Sequence, residues 1–262
     1  MAIITISRGT LAGGQTLAQM LKERLGYRIV SREQVFEKTR ADFGITDEQL
    51  SEITTRTPSI YDPATRRARR IVAVVESAFC DLLGDDNVIY HGQVGQILLS
   101  GVTHALRLRL IAPRSRRIEW IKKADNLNDY DATRKVDRVD EERRRWTRFF
   151  YDVDSTDASL YDLVINAEKM SVQDAADLAT AAARLESLKA NKESLATLAD
   201  TGLRSRVLAF LITNPATADL DVDIVASGGK VGVGGLSNAK LLDEATQIVA
   251  RVPGVVSVDR AR

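Results

Sequence analysis

Two sets of residues in this 262-residue chain have types and spacings suited to chemistry. The first is Gly9-Thr10-Leu11-Ala12-Gly13-Gly14-Gln15-Thr16, which follows Ser7-Arg8. It matches the template G-x-x-x-x-G-K-[ST], with Gly9 and Gly14 on the glycine positions and Thr16 on the hydroxyl position. Glycines there let the backbone curl with its N–H groups pointing inward, and a helix starting at the end of the curl adds partial positive charge. Such a loop cradles a phosphate; a strand-to-helix turn that uses glycine only for steric room is the plainer reading. Gln15 occupies the lysine position and offers a neutral amide instead of a charge. The second set is the run from Arg114 to Arg148, where basic residues outnumber acidic ones. Phosphoryl transfer needs cations that close over the phosphates, and arginine's rigid fork suits that task. A pair of solvated charged helices is the commoner fate of such a run.

The elements that must position these residues follow from hydrophobic periodicity. Ile3 to Ile6 is a β-branched strand, and Leu17, Met20, Leu21 and Leu25 mark a helix that ends at Gly26. Tyr27 to Val30 is a second strand, with Ser31-Arg32-Glu33 opening the next helix and Thr46-Asp47-Glu48 another. From Thr54 to Arg70 the chain is polar, proline-interrupted and arginine-rich, which suits a mobile flap over a substrate or a solvated loop equally. Ile71 to Leu83 is a strongly apolar helix. Val88 to Tyr90, Leu106 to Ile111 and Leu163 to Ile165 are the third, fourth and fifth strands, and His91-Gly92-Gln93-Val94-Gly95 lies at the carboxyl end of the third. Alternating strands and helices predict an α/β fold with a parallel five-stranded sheet flanked by helices, whose ligands sit at the carboxyl ends of the strands.

Val172 to Lys192 reads as an alanine-rich helix running into a polar junction at 189–198, which divides a domain over 1–188 from a second over 199–262. In the second, Leu203 to Ile212 is a helix, Leu220 to Ala226 and Lys230 to Gly234 are strands joined through Ser227-Gly228-Gly229, Asn238 to Arg251 is a helix and Val255 to Asp259 a strand. That order, α-β-β-α-β, is a small α+β domain, short for a self-supporting core.

Composition narrows the class. The 37 basic and 36 acidic residues nearly cancel, so bulk charge gives no argument for nucleic acid or an anionic membrane as a partner. A single cysteine, Cys80, falls in the apolar stretch Ile71 to Leu83 and reads as a small core residue. No apolar run is long enough to span a bilayer, and the chain enters a strand directly, which points to the cytosol.

As a set, several segments resemble the cytidylate kinase-like family of P-loop nucleoside monophosphate kinases: Ile4-Thr5-Ile6-Ser7-Arg8 with Gly13-Gly14, Val88-Ile89 with Gly92, Ala112-Pro113 with Arg117-Ile118, Asp140-Glu141-Glu142-Arg143, and Tyr161 to Asn166. The resemblance covers roughly Met1 to Arg184. It implies transfer of the γ-phosphoryl of ATP, with Mg2+, to a nucleoside monophosphate such as CMP. It further implies a triphosphate on Ser7, Arg8, Gly9, Gly13, Gly14, Gln15 and Thr16, with Thr16 reaching the metal. The acceptor is expected under the segment from Ser31 to Leu83, met by Ser31, Arg32, His91 and Gln93, and a lid carries Arg117, Arg143 and Arg145. No general base is required, because the attacking phosphate is already anionic. Three positions depart from the family pattern: Gln15 replaces a basic residue, Ser31 replaces an acid, and His91-Gly92-Gln93 replaces a glycine-arginine-glycine turn. Each removes a charge or changes a donor, so two readings stay open: a kinase, and a nucleotide-binding regulator that does not turn its ligand over.

The C-terminal segment resembles a BON domain through Asp221-Val222-Asp223-Ile224, Gly229-Lys230-Val231, Gly234-Gly235 and Val252-Pro253-Gly254-Val255-Val256-Ser257-Val258. That resemblance implies an adaptor or sensing role toward a protein or phospholipid partner; self-association of the chain is the plainer alternative.

Overall fold

The computed structural model describes residues 2–8, 13–55, 64–84 and 86–260. Gly9 to Ala12 of the glycine loop, the side chain of Arg8 and residues 56–63 of the proline-interrupted segment lie outside the described residues. The chain forms two compact units, one from 1–32 and 85–191, the other from 33–84 and 192–262.

In the first unit the strands β1 (Ile3–Arg8), β2 (Arg28–Ser31), β3 (Val88–His91), β4 (Ala105–Ile111) and β5 (Leu163–Asn166) make a wholly parallel sheet in the order β2-β3-β1-β4-β5. The order reverses around β1, so the carboxyl end of β1 lies at the switch point where α/β sheets receive their ligands. One face is packed by α1 (Gly14–Leu25) and α8 (Val172–Ala183). Ile4, Ile6, Ile89, Leu106, Leu108, Leu110 and Ile165 meet Leu17 and Leu21 of α1 and Ala175, Ala176, Ala179 and Ala183 of α8, and all are nearly or fully buried. The small alanines of α8 let the two helices sit side by side on the sheet. A short helix, α5 (Gly95–Leu98), follows β3; no periodicity in four residues announces it.

Between β4 and β5 the chain folds back as two helices, α6 (Arg114–Asp125) and α7 (Asp129–Tyr151), around Ile121, Ala132 and Val136. Ion pairs along the seam fix their register: Arg114 with Asp137, Arg117 with Asp140, Lys122 with Asp129, and Lys135 with Asp125. Asn128 caps α7 by accepting from the Asp131 backbone N–H at 2.9 Å. The basic run is therefore a zipped hairpin with many of its charges spent internally.

The second unit contains most of α2 (Arg32–Phe43), then α3 (Asp47–Thr55) and α4 (Ala64–Leu83), followed by α9 (Lys192–Thr213), β6 (Asp223–Ser227), β7 (Lys230–Gly234), α10 (Ala239–Val249) and β8 (Ser257–Arg260). β6 and β7 pair antiparallel through the turn Gly228-Gly229, both at positive φ as a two-residue hairpin turn requires, and β8 adds parallel to β7. Leu203, Val207 and Leu211 of α9 pack on Ile224, Val231, Val233, Ala245 and Val249. The alanine-rich helix expected to reach Lys192 stops at Ala183, and Lys192 begins α9, eleven residues before the expected Leu203.

Candidate functional site

Ser7, one residue before the end of β1, lies beside Arg109 of β4, its register partner. On β4, Leu106, Leu108 and Leu110 point into the core shared with α1 and α8, so Arg107, Arg109 and Ile111 lie on the opposite face. Arg107 turns to Asp162 in a two-pronged pair, Nη2 to Oδ1 at 2.6 Å and Nε to Oδ2 at 3.1 Å, which ties β4 to the start of β5. Arg109 and Ile111, nearer the carboxyl end, border a cavity of about 280 Å3 together with Ser7, Gln93, Val94, Gln96, Ala112, Arg117, Asp140, Arg143, Arg144, Thr147, Ser155 and Thr156. Four guanidinium groups thus face one carboxylate, and a concave site with that imbalance selects anions.

The cavity is held by its own hydrogen bonds. Arg117 Nη1 donates to both carboxylate oxygens of Asp140, at 2.8 and 2.7 Å. Arg144 donates to Glu141 at 3.2 Å. The buried Tyr161 donates its hydroxyl to the Ser155 carbonyl at 2.8 Å, accepts from Gln96 Nε2 at 3.4 Å, and has Ser7 Oγ at 3.4 Å. Its ring lies under the Arg109 guanidinium, 5.3 Å from Cζ to the ring centre. Asp154 takes hydrogen bonds from Thr156 N–H and Oγ1, which hold its carboxyl below the usual range and shape the Ser155-Thr156 rim. Val94, a β-branched residue, sits at φ 60°, and such left-handed strain concentrates where a site fixes the backbone.

The first turn of α1 is a second candidate anion position, and none of its residues lines that cavity. Gly13 is left-handed at φ 83°, and a Cβ there would press on Val172 Cγ2 at 2.9 Å, so glycine is required for both reasons. Leu17 N–H is the first to close on Gly13. The N–H groups before it point out of the helix start, with no acid in the first turn and no side-chain cap among the described residues. Gln15 and Thr16 are exposed there. These residues fit a phosphate chain, and the Thr16 hydroxyl fits a metal carried by that chain; no cluster of three acidic, histidine or cysteine ligands exists among the described residues.

Of the residues singled out in the sequence, Ser7, Gln93, Arg117 and Arg143 come together around one cavity. Gly13, Gly14, Gln15 and Thr16 stand at the start of α1. Ser31 and His91 are register partners at the carboxyl ends of β2 and β3, and Arg32 opens α2. Arg145 is largely exposed, pairs with Glu141 at 3.3 Å, and is absent from the cavity lining, where Arg144 stands. Arg109, Gln96, Asp140 and Arg144 were not foreseen as site residues. Arg109 had a signal: two arginines alternating with leucines inside a strand that should be apolar on both faces.

No described helix is long and apolar enough to cross a membrane. The chain is 24% identical over 177 residues to a cytidylate kinase of Methanosarcina mazei, covering 67% of this chain and 92% of that protein. It is 27% identical over 174 residues to one of Methanocaldococcus jannaschii, covering 65% and 91%. A solved structure of an uncharacterised protein from Eubacterium ventriosum shares the fold with a TM-score of 0.54 at 18% identity, covering 70% of this chain and 97% of that one. With residues 3–169 matching its pattern, the chain belongs to the cytidylate kinase-like family.

Proposed function

We propose that this chain is a nucleoside monophosphate kinase that moves the γ-phosphoryl of ATP to a cytidylate-type acceptor. The observation that carries this reading is the cavity at the carboxyl ends of β1 and β4, where Arg117, Arg143 and Arg144 converge from the α6–α7 hairpin onto Ser7. When bound, magnesium would neutralise part of the phosphate charge, with Thr16 as its protein ligand. The α1 start and the glycine loop hold the donor phosphates through backbone N–H groups. Arg143 and Arg117 offset the charge that spreads over the transferring group, and the acceptor phosphate attacks as an anion without a base. A coupled assay for ADP release with magnesium, ATP and CMP, dCMP or UMP tests the proposal; no release with any acceptor refutes it.

One observation favours a second reading. Gln15 is exposed and neutral where the phosphate template has lysine, which suits a domain that binds nucleotide without turning it over. In that case Gln15→Lys leaves the protein inactive, whereas in a working kinase it keeps or raises the rate. The sequential order α9, β6, β7, α10, β8 supports a BON-like adaptor whose partner is a protein or a phospholipid. Retention of the full chain on anionic phospholipid vesicles, compared with phosphatidylcholine vesicles, tests the lipid arm.

A further inference from the structure

The geometry points to Arg109 as a phosphate-binding residue of this cavity, with Tyr161 as its positioning residue; this rests on the reading of the cavity as a nucleotide phosphate site. Among the described residues Arg109 has no ion-pair partner, whereas Arg117 is matched by Asp140 and Arg144 by Glu141. Arg109 is half-buried beside three other guanidinium groups and has no carboxylate of its own among the described residues, so its charge is open to an anion that enters the cavity. The ring of Tyr161 explains why the side chain stays at the rim instead of turning to solvent. The hydroxyl of that ring is fixed by Ser155 and Gln96, so the face beneath Cζ is a rigid platform. A stacked guanidinium keeps its in-plane donors free, and they match two oxygens of one phosphate. Because Arg109 sits in register with Ser7, its cation enters the cavity from β4.

The test is binding of CMP and of cytidine to the full chain by calorimetry, alongside the transfer assay. Arg109→Gln is expected to weaken CMP about tenfold or more, the scale of a lost charged hydrogen bond, and to leave cytidine unchanged. Arg109→Lys should fall between, since it keeps the charge and loses the fork. Phenylglyoxal labelling of the wild-type chain gives a readout independent of any variant's folding: CMP should protect Arg109 and cytidine should not. Equal CMP affinity in Arg109→Gln, unprotected Arg109, or no phosphate-dependent binding by the wild type each overturns the inference. Arg109-dependent CMP binding without transfer upholds it and overturns the kinase reading alone.

Discussion

Asp140 of α7 binds the guanidinium of Arg117 of α6 through both carboxylate oxygens, so the cation that α6 sends into the cavity arrives already oriented by the other helix of the hairpin. The Arg117 side chain is only 13% exposed, which keeps the pair from loosening in water. On the proposed kinase reading, Asp140 acts through Arg117. Asp140→Asn is expected to lower kcat for CMP about 10- to 100-fold, the scale of a misplaced catalytic group. Arg117→Ala should cost about 10³-fold. Because the two residues form one unit, Asp140→Asn added to Arg117→Ala should bring no further loss. A further tenfold drop in the double variant would show that Asp140 does something besides hold Arg117.

Cys80 is expected to be inert in the native chain. Burial pushes its thiol up to about 12, with contact to Ser205 pulling slightly the other way. At pH 8 a thiol of that kind is ionised to about one part in 10⁴, and the thiolate is the reactive form. A thiol-specific disulfide reagent should therefore label the native protein only as fast as the second unit opens. In denaturant, one thiol per chain should react at once, since the chain has a single cysteine. Rapid labelling without denaturant would contradict the buried placement.

His104 is expected to make the first unit acid-sensitive. It is fully buried, neither ring nitrogen has a hydrogen-bond partner among the described residues, and its backbone carbonyl receives the Ile3 N–H at 2.9 Å. Burial lowers its pKa first, the N-terminal charge adds to that, and Asp86 opposes it. The folded state therefore binds a proton less readily than the unfolded state, whose histidine titrates near ~6.5. Stability is unaffected by this group above that value and falls as pH drops below it toward the folded pKa. His104→Leu removes both unsatisfied nitrogens. It should raise the denaturation midpoint at pH 5.5 by more than at pH 8; an equal shift at both values would show that His104 does not titrate in this window.

The parts of the fold that were legible in the sequence are those written in local pattern. The β-branched run Ile3 to Ile6 marks β1, and Ile71 to Leu83 marks the apolar helix that became most of α4. What escaped depends on tertiary partners. A run of three arginines at 143–145 cannot state which of them faces inward, because neighbours on a helix are a hundred degrees apart and the phase is set by packing of α7 on α6. The structure aims Arg143 and Arg144 at the cavity, while Arg145 lies largely in solvent. The start of α9 was obscured for a similar reason. Its first turns are polar and alanine-rich, and they are helical because α9 packs along α4, far away in sequence.

That packing leads to the last prediction, which concerns where the chain can be cut. Division at the polar junction 189–198 looks permissible from composition, but α4 belongs to the same compact unit as α9. Cys80 of α4 meets Ser205, a Cβ added at Gly202 would lie 3.6 Å from the Cys80 Cβ, Asp81 pairs with Arg206, and Arg70 pairs with Asp219. A chain ended at Asn191 keeps α4, with its buried Ile71, Val74, Phe79 and Leu83, and loses α9. Each such side chain exposed forfeits about 1.5–3 kcal/mol, against a total domain stability of about 5–15 kcal/mol. The truncated chain should aggregate or expose enough apolar surface to bind a hydrophobic dye. Gly202→Leu in the full chain, which forces a side chain into the α4–α9 seam, should lower Tm by several degrees while leaving the five-stranded sheet intact by circular dichroism. A soluble, cooperatively melting fragment ending at Asn191 would mean that α4 finds its stability elsewhere and that the junction is a true boundary.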